Sequence, residues 1–350
     1  MEQTAVEKKF GKYVMASMIT MFLQSAYSMI DGLFVSNLIG DTALSAVNVA
    51  WPVIAVVTAI GTGVGCGGAV MMSTKQGEGK NEESNIVRAN VILALLASSI
   101  VVTILFLILL TPLLKLMGAE GELLRLSQIY GRVMLTGGVL QILSCGLTPL
   151  LRNDNRAVSA MMIMVGGLFV NLGLDFVFMY VFHMGIGGAA GASLCAQLFT
   201  TVCCLMILCT KKTDPIRLSQ FMIRKEYWKK IFKTAVSPFG ISLTPSLLIL
   251  YHNVACLKFG GDLAVNAYAL ISSTVGSYRV LLIGVAEGIQ PLASYAYGAH
   301  DFHAIRKIRN KAIITAIGVS FFLFIFTIAT ARFYPAIYGY EGEAAELGYH

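Results

Sequence analysis

Two aspartates of this sequence lie deep inside long apolar stretches, where an ionisable side chain is costly and indicates a functional site. Tyr27 precedes Asp31 by one helical turn, and Asn171 precedes Asp175 by one turn, so each pair shares a helix face. Ser193 lies in a later run of glycine and alanine that lets helices approach closely. The five residues predict a protonatable cluster. The alternative is that each side chain only hydrogen-bonds a neighbouring helix.

Four polar residues in the last third of the chain predict a substrate cavity. Arg279 and Glu287 are eight residues apart, which is about two turns on one helix face. They either form an internal ion pair, or Glu287 faces a cavity and attracts cationic ligands. Gln290 precedes a proline that indicates a helix distortion. His252 is the fourth residue of this group. Alternatively, His252 only makes hydrogen bonds within the helix bundle and has no role in a cavity.

The elements that carry these residues are apolar. The chain is 56% hydrophobic and 13% charged, with a mean hydropathy of +0.73, whereas soluble domains are about 45–50% apolar and about 25% charged. Its net charge of +7 comes from basic residues in alternate loops, which argues against nucleic-acid binding. The seven cysteines have no metal-ligand spacing, and no nucleophile constellation indicates an enzyme. We expect a membrane protein without metal or cofactor.

A helix needs about 20 apolar residues to cross a bilayer. Most of the 26 lysines and arginines lie at one end of the apolar stretches. Basic residues mark the cytoplasmic side, so we expect a multi-pass protein of the cytoplasmic membrane with its N-terminus inside. A basic stretch at 221–230 predicts an amphipathic helix lying on the lipid surface. The predicted spans are 12–38, 44–73, 86–112, 123–148, 157–182, 187–210, 234–258, 263–297 and 312–334, with a tenth beginning near 343.

Residues 40–126 recur at 261–347 with a constant offset of 221 and no gap. Duplicated halves are typical of secondary transporters, with the substrate between the halves. The repeat predicts a first lobe at 1–210, a connector at 211–233 and an incomplete second lobe at 234–350. We expect about three more spans to follow in a longer protein, and this chain alone to be inactive in transport. Matching pairs include Gly40 and Gly261, Gly77 and Gly298, and Arg88 and Arg309.

One glycine motif needs a separate interpretation. Gly63-Val64-Gly65-Cys66-Gly67-Gly68 has the spacing of a dinucleotide-binding loop. That loop requires a preceding strand, and here the motif lies inside an apolar span. We therefore expect these glycines to allow close helix packing.

Four stretches are distinctive when taken together: Ile30-Asp31-Gly32-Leu33-Phe34-Val35, Leu151-Arg152-Asn153-Asp154, Asn171-x-x-Leu174-Asp175-Phe176, and Gly288-Ile289-Gln290-Pro291. They resemble the multidrug and toxic compound extrusion (MATE) transporters, and most closely the bacterial branch of cation-drug exporters. The resemblance implies an all-α protein with twelve helices in two lobes around a central cavity. Nine to ten of these helices fall within this chain.

The resemblance also implies a function, the export of organic cations driven by a proton or sodium gradient. It assigns the family's first-lobe site to Tyr27, Asp31, Asn171, Asp175 and Ser193. The seventh span lacks the acid that some members use for a cation site in the second lobe, so a sodium site is not expected there. We expect a monomer whose partners are small organic cations and membrane lipids.

Two other functions are compatible with the sequence. A flippase for lipid-linked saccharides would need a strongly basic cavity, and Arg279 is the one clear cation in mid-span. A scaffold or receptor that transports nothing would have no titrating carboxylate. Gradient-linked flux discriminates the antiporter from both.

Overall fold

The computed structural model describes residues 3–209 and 220–330, and every regular element in these ranges is a helix. Long apolar runs form helices because a backbone in lipid must satisfy its own hydrogen bonds. The predicted all-α fold class is therefore confirmed. The α-helices are α1 Gln3–Ile39, α2 Asp41–Gly77, α3 Asn81–Leu116, α4 Gly121–Thr136, α5 Gly138–Leu151, α6 Ala157–Asp175, α7 Gly185–Cys209, α8 Lys225–Gly298 and α9 Phe302–Thr330.

Six segments within the described ranges are long and apolar enough to cross a membrane. The end of the ninth predicted span and the whole of the tenth lie outside the described residues. The division of the chain into two lobes and a connector stays a prediction. The six segments are Lys9–Ile39, Thr42–Gly77, Asn81–Leu116, Gly138–Val181, Gly185–Cys209 and Phe302–Ala329.

The span predicted at 123–148 contains a break, because the structure divides it into α4 and α5 at Gly137. Gly137 lies directly against the Leu194 side chain of α7, where an added Cβ would overlap that side chain. The next residue, Gly138, lies equally close to Thr103 of α3. Two glycines in sequence allow a helix to kink, and here they admit side chains from both neighbouring helices.

A turn at Arg152–Arg156 precedes α6, and a π-helical segment at Phe176–Val181 follows it. Inside the first, Asn155 has a φ of 60°, a left-handed conformation that asparagine tolerates better than most residues. The second begins directly after Asp175. Such π-helical turns are frequent at functional sites.

The amphipathic helix predicted at 221–230 begins instead at Lys225. The Asn90 side chain explains the difference, because it donates to the Met222 carbonyl at 3.2 Å and accepts from the Arg224 N–H at 3.0 Å. These bonds hold residues 221–224 in a non-helical conformation. The lipid-facing surface stays a prediction, and the exposure of the apolar side chains of Met222 and Ile223 is consistent with it.

The loop predicted between the spans 234–258 and 263–297 falls within α8, the 74-residue element Lys225–Gly298. A straight helix of that length would extend about 110 Å. The His252 and Tyr268 rings nevertheless stack at 5.0 Å, although 16 residues separate them. The chain therefore reverses direction between them, as the two predicted spans require. We call residues 225–252 the first limb of α8 and residues 268–298 the second limb.

The buried side chains form two cores that exchange helices. The larger core joins the helices α2, α3, α4, α5 and α7 with the end of α1 and part of α6, and it takes Ile231 and Ala235 from the first limb of α8. The smaller core joins the second limb to α9, and it takes Phe10, Tyr13 and Val14 from α1. Each group of helices is thus completed by the start of a helix from the other group.

Candidate functional site

The carboxyl groups of Asp31 and Asp175 lie within hydrogen-bonding distance of each other. Asp31 comes from α1, where it is half-buried, and Asp175 is the fully buried last residue of α6. The Asn171 amide donates to Asp175 Oδ2 at 3.0 Å, as the spacing of one turn predicts. Two carboxyl groups hydrogen-bond directly only when they share a proton. The arrangement can therefore hold a proton in the bundle.

One oxygen of this cluster is poorly satisfied. Asp31 Oδ1 is buried and has no hydrogen-bond partner among the described residues. Buried polar atoms almost always have partners, and an exception calls for an explanation such as a bound ion or a catalytic role. Here the oxygen offers an acceptor to a proton or a cation that reaches the pair.

Tyr130 belongs to this cluster, although the sequence analysis missed it. It comes from α4, is 5% exposed, and lies close enough to interact electrostatically with both Asp31 and Asp175. A tyrosine is neutral at physiological pH, so the search for charges in apolar stretches passed over it. The packing of α4 on α7 and on the other helices of the larger core brings it to the site.

For Ser193 and Tyr27, the other two predicted members of the cluster, the structure shows no contact with the carboxyl pair among the described residues. Gly167 of α6 lies against Thr200 of α7, and Phe178 just beyond α6 lies against Gly188. This antiparallel register puts Ser193 at the level of Asn171 and Asp175. Its hydroxyl makes no hydrogen bond among those found between described residues. The Tyr27 side chain lies outside the described part of the chain.

Glu287 and Gln290 lie together on the second limb of α8, opposite the turn Arg152–Arg156. Arg152 Nη1 and Glu287 Oε2 form a partly buried ion pair at 2.7 Å. The Asn153 amide donates to Gln290 Oε1 at 2.8 Å. Glu287 is therefore paired, but with Arg152 rather than with Arg279.

Arg279 and His252 lie apart from these residues, and both are exposed. His252 Nδ1 lies 2.8 Å from the Leu248 carbonyl of its own helix turn, in addition to its stacking on Tyr268. The four residues predicted to form one cavity thus separate into a paired group, Glu287 and Gln290, and two exposed side chains.

A small cavity adjoins the Arg152–Glu287 pair. Its volume is about 10 Å³, which is room for about one water molecule. Hydroxyl groups and methionines face it, a lining that can adapt its shape. The lining residues include Ser17, Thr20, Met161 and Met164.

Arg88 and Asp154 form a buried ionic contact next to this region that the sequence analysis also missed. Both side chains are 1% exposed, and Arg88 Nη1 lies 3.9 Å from Asp154 Oδ2. Arg88 also donates to Asn85 and to the Leu208 carbonyl. The positive-inside pattern indicated only that Arg88 lies at the cytoplasmic end, and did not reveal its burial.

Comparison with known proteins gives consistent matches. The MatE family profile matches residues 16–177 and 241–350, two segments that follow the internal repeat. A multidrug export protein, MepA, of Staphylococcus saprophyticus is 24% identical over 318 residues, covering 90% of this chain and 70% of its own length. MepA of Staphylococcus aureus is 24% identical over 331 residues, covering 94% and 72%.

Solved structures agree in fold. An outward-facing multidrug resistance MATE transporter superposes with a TM-score of 0.92 at 25% identity, covering 98% of this chain and 77% of the solved one. A Pyrococcus furiosus transporter, described as having a binding pocket of reverse polarity, has a TM-score of 0.92 and the same identity, covering 98% and 76%. A MATE protein in complex with MaL6 has a TM-score of 0.91, also at 25% identity with coverage of 98% and 76%.

Proposed function

This chain belongs to the MATE family of membrane transporters, and on that premise we propose that it is a multidrug antiporter of the cytoplasmic membrane. It exports small organic cations in exchange for protons, with sodium as the alternative coupling ion, and its N-terminus is cytoplasmic. The observation that carries the proposal is the contact between the Asp31 and Asp175 carboxyl groups. The names of the MepA relatives support multidrug export.

Coupling follows from the charge of the carboxyl pair. When the pair faces outward, a proton joins it, removes negative charge and loosens a bound cation. When the pair faces inward, the proton leaves and cation affinity returns. The cation drives the change only through its different affinities for the two conformations. Asn171 acts as a positioning residue because its amide orients the Asp175 carboxyl group.

Glu287 supplies a second negative group for the substrate. In this structure Arg152 neutralises it at 2.7 Å, and the adjoining cavity of about 10 Å³ is too small for an organic cation. Pockets that hold drug-sized ligands are about 300–1,000 Å³. Arg152 must therefore withdraw before a substrate cation takes its place beside Glu287, Ser17 and Thr20.

The test is flux of a fluorescent cationic dye in proteoliposomes that contain the full-length protein. Proton and sodium gradients are imposed separately on wild type, Asp31→Asn, and a control Glu120→Gln, whose carboxylate is exposed. We expect a proton gradient to drive dye transport in wild type and in the control, and Asp31→Asn to abolish it while still inserting and folding.

Normal transport by Asp31→Asn would contradict the coupling role. Transport of an anionic lipid-linked saccharide, unaffected by Asp31→Asn, would favour the flippase. A correctly inserted protein that moves no dye under either gradient would favour the scaffold or receptor.

A further inference from the structure

Six glycines of this chain form three pairs related by the repeat offset of 221. Three lie on α2 and three on the second limb of α8. All six lie in the half of their helix that ends on the side predicted to be cytoplasmic. The pairs are Gly63 and Gly284, Gly67 and Gly288, and Gly77 and Gly298.

The last pair meets across the two halves of the chain. A Cβ added to Gly77 would overlap the Tyr295 carbonyl, and a Cβ added to Gly298 would overlap the Thr74 carbonyl. Thr74 and Tyr295 are themselves related by the offset of 221. The contact is therefore the same in both directions, as in an interface about a two-fold axis.

The middle pair repeats this symmetry with other helices. A Cβ on Gly67 would lie 2.7 Å from Ala235 N, on the first limb of α8. A Cβ on Gly288 would lie 2.6 Å from Val14 Cα, on α1. Val14 and Ala235 are again 221 residues apart, which extends the repeat beyond its sequence-detected start at residue 40.

The first pair follows the same rule. A Cβ on Gly63 would lie 3.0 Å from Phe239 Cβ, and a Cβ on Gly284 would lie 2.9 Å from Met18 Cα. The prediction that the motif around Gly63 packs helices is confirmed. We call the six glycines and the backbones they touch the glycine seam.

The seam is confined to one end of the described helices. Gly276 on the second limb has nothing within 4 Å of an added Cβ. Gly240, next to the seam residue Phe239 on the first limb, also has open space around an added Cβ and supplies a control position. Apolar side chains farther along the first limb, such as Leu247 and Tyr251, are exposed. The halves therefore touch at the predicted cytoplasmic end and separate toward the other end.

The ion pair of Arg152 with Glu287 lies within the seam. Cys66, between Gly63 and Gly67, interacts electrostatically with both members of the pair. Cys66 is also the position related to Glu287 by the offset of 221. The pair thus lies near the symmetry axis, where separation of the halves would break it.

We propose that the glycine seam is the cytoplasmic gate of this transporter, and that its two glycine triplets are equivalent, so that a methyl group on either side opens it. This rests on the proposed function, because an antiporter must expose its site to each side in turn. Close backbone contact without interlocking side chains lets the halves separate as rigid bodies. The Arg152–Glu287 pair breaks in that step.

Cys66 reports on the gate directly. In the full-length protein with its other cysteines replaced by serine, Cys66 is labelled by a membrane-impermeant maleimide in inside-out vesicles. The variants are Gly77→Ala, Gly298→Ala and the control Gly240→Ala. We expect each seam variant to speed labelling about tenfold, the factor that about 1.4 kcal/mol in the closed–open equilibrium produces. The control should label like the parent.

Equal labelling rates in all variants would overturn the gate, and an effect at one seam glycine alone would overturn the equivalence of the triplets. If an alanine variant does not insert into the membrane, the double variant Glu78→Cys/Tyr297→Cys replaces it, and a bismaleimide cross-links the two new cysteines. Labelling of Cys66 is then read by mass spectrometry. Cys66 should be labelled more slowly in the cross-linked protein than in the same double variant without the cross-linker, and equal rates would contradict the gate. Labelling needs no substrate, so the gate can stand even if dye export fails.

Discussion

At the scale of residues, Asp31 and Asp175 illustrate what a sequence reveals about a membrane site. A carboxylate in an apolar stretch is visible without a structure because its cost requires a function. Tyr130 is not visible in that way, since its hydroxyl carries no charge and tyrosine is common in apolar spans. Partners are also hidden, because Arg152 and Glu287 lie 135 residues apart in sequence and pair only through packing.

Arg88 gives a residue-scale prediction, because the repeat supplies its matched control. Arg88 is buried beside Asp154, whereas its repeat partner Arg309 is exposed and bonds only to Asn310 among described residues. Removing one member of a buried ion pair costs about 3–5 kcal/mol. We expect about the lower figure for Arg88→Ala, since Arg156 remains 3.8 Å from Asp154.

The measurement is the midpoint of thermal unfolding of purified protein in detergent. Arg88→Ala should unfold at a clearly lower temperature than wild type, and Arg309→Ala should match wild type. Equal midpoints for the two variants would show that the Arg88 contact does not stabilise the fold.

At the scale of elements, hydropathy located most helices but not their interruptions. The break between α4 and α5 arises where Leu194 and Thr103 press against Gly137 and Gly138. Those contacts come from distant helices, and no local pattern predicts them. The start of α8 is likewise fixed by Asn90, a side chain 135 residues before Lys225. Periodicity describes a helix alone, whereas its ends here depend on its neighbours.

Asn90 gives the element-scale prediction. Asn90→Ala removes both side-chain bonds to residues 222 and 224. A hydrogen bond contributes about 0.5–1.5 kcal/mol to stability, so the segment before α8 should open more often. Limited trypsin digestion should then cut faster at Arg224 and Lys225. Asn310→Ala, on exposed α9 surface, should not change the rate, and equal cleavage in both variants would contradict the anchor.

At the scale of the whole molecule, α1 connects the carboxyl pair with the glycine seam. Asp31 lies 13 residues beyond Met18 on the same helix, or about 20 Å along its axis. A change of charge at Asp31 can therefore bias the position of a rigid element whose other end contacts Gly284 and Gly288. The repeat predicted two related halves, but the exchange of α1 and the first limb of α8 between cores required the structure.

In the proposed antiporter, a proton and an organic cation compete for the Asp31–Asp175 pair. The most direct measurement is proton release when a cationic dye binds purified full-length protein in weakly buffered detergent solution, read with a pH indicator. We predict about one proton released per dye bound by wild type, since binding and deprotonation are linked, and none by Asp31→Asn. Tight dye binding by wild type with no proton release, or unchanged release by Asp31→Asn, would contradict the account.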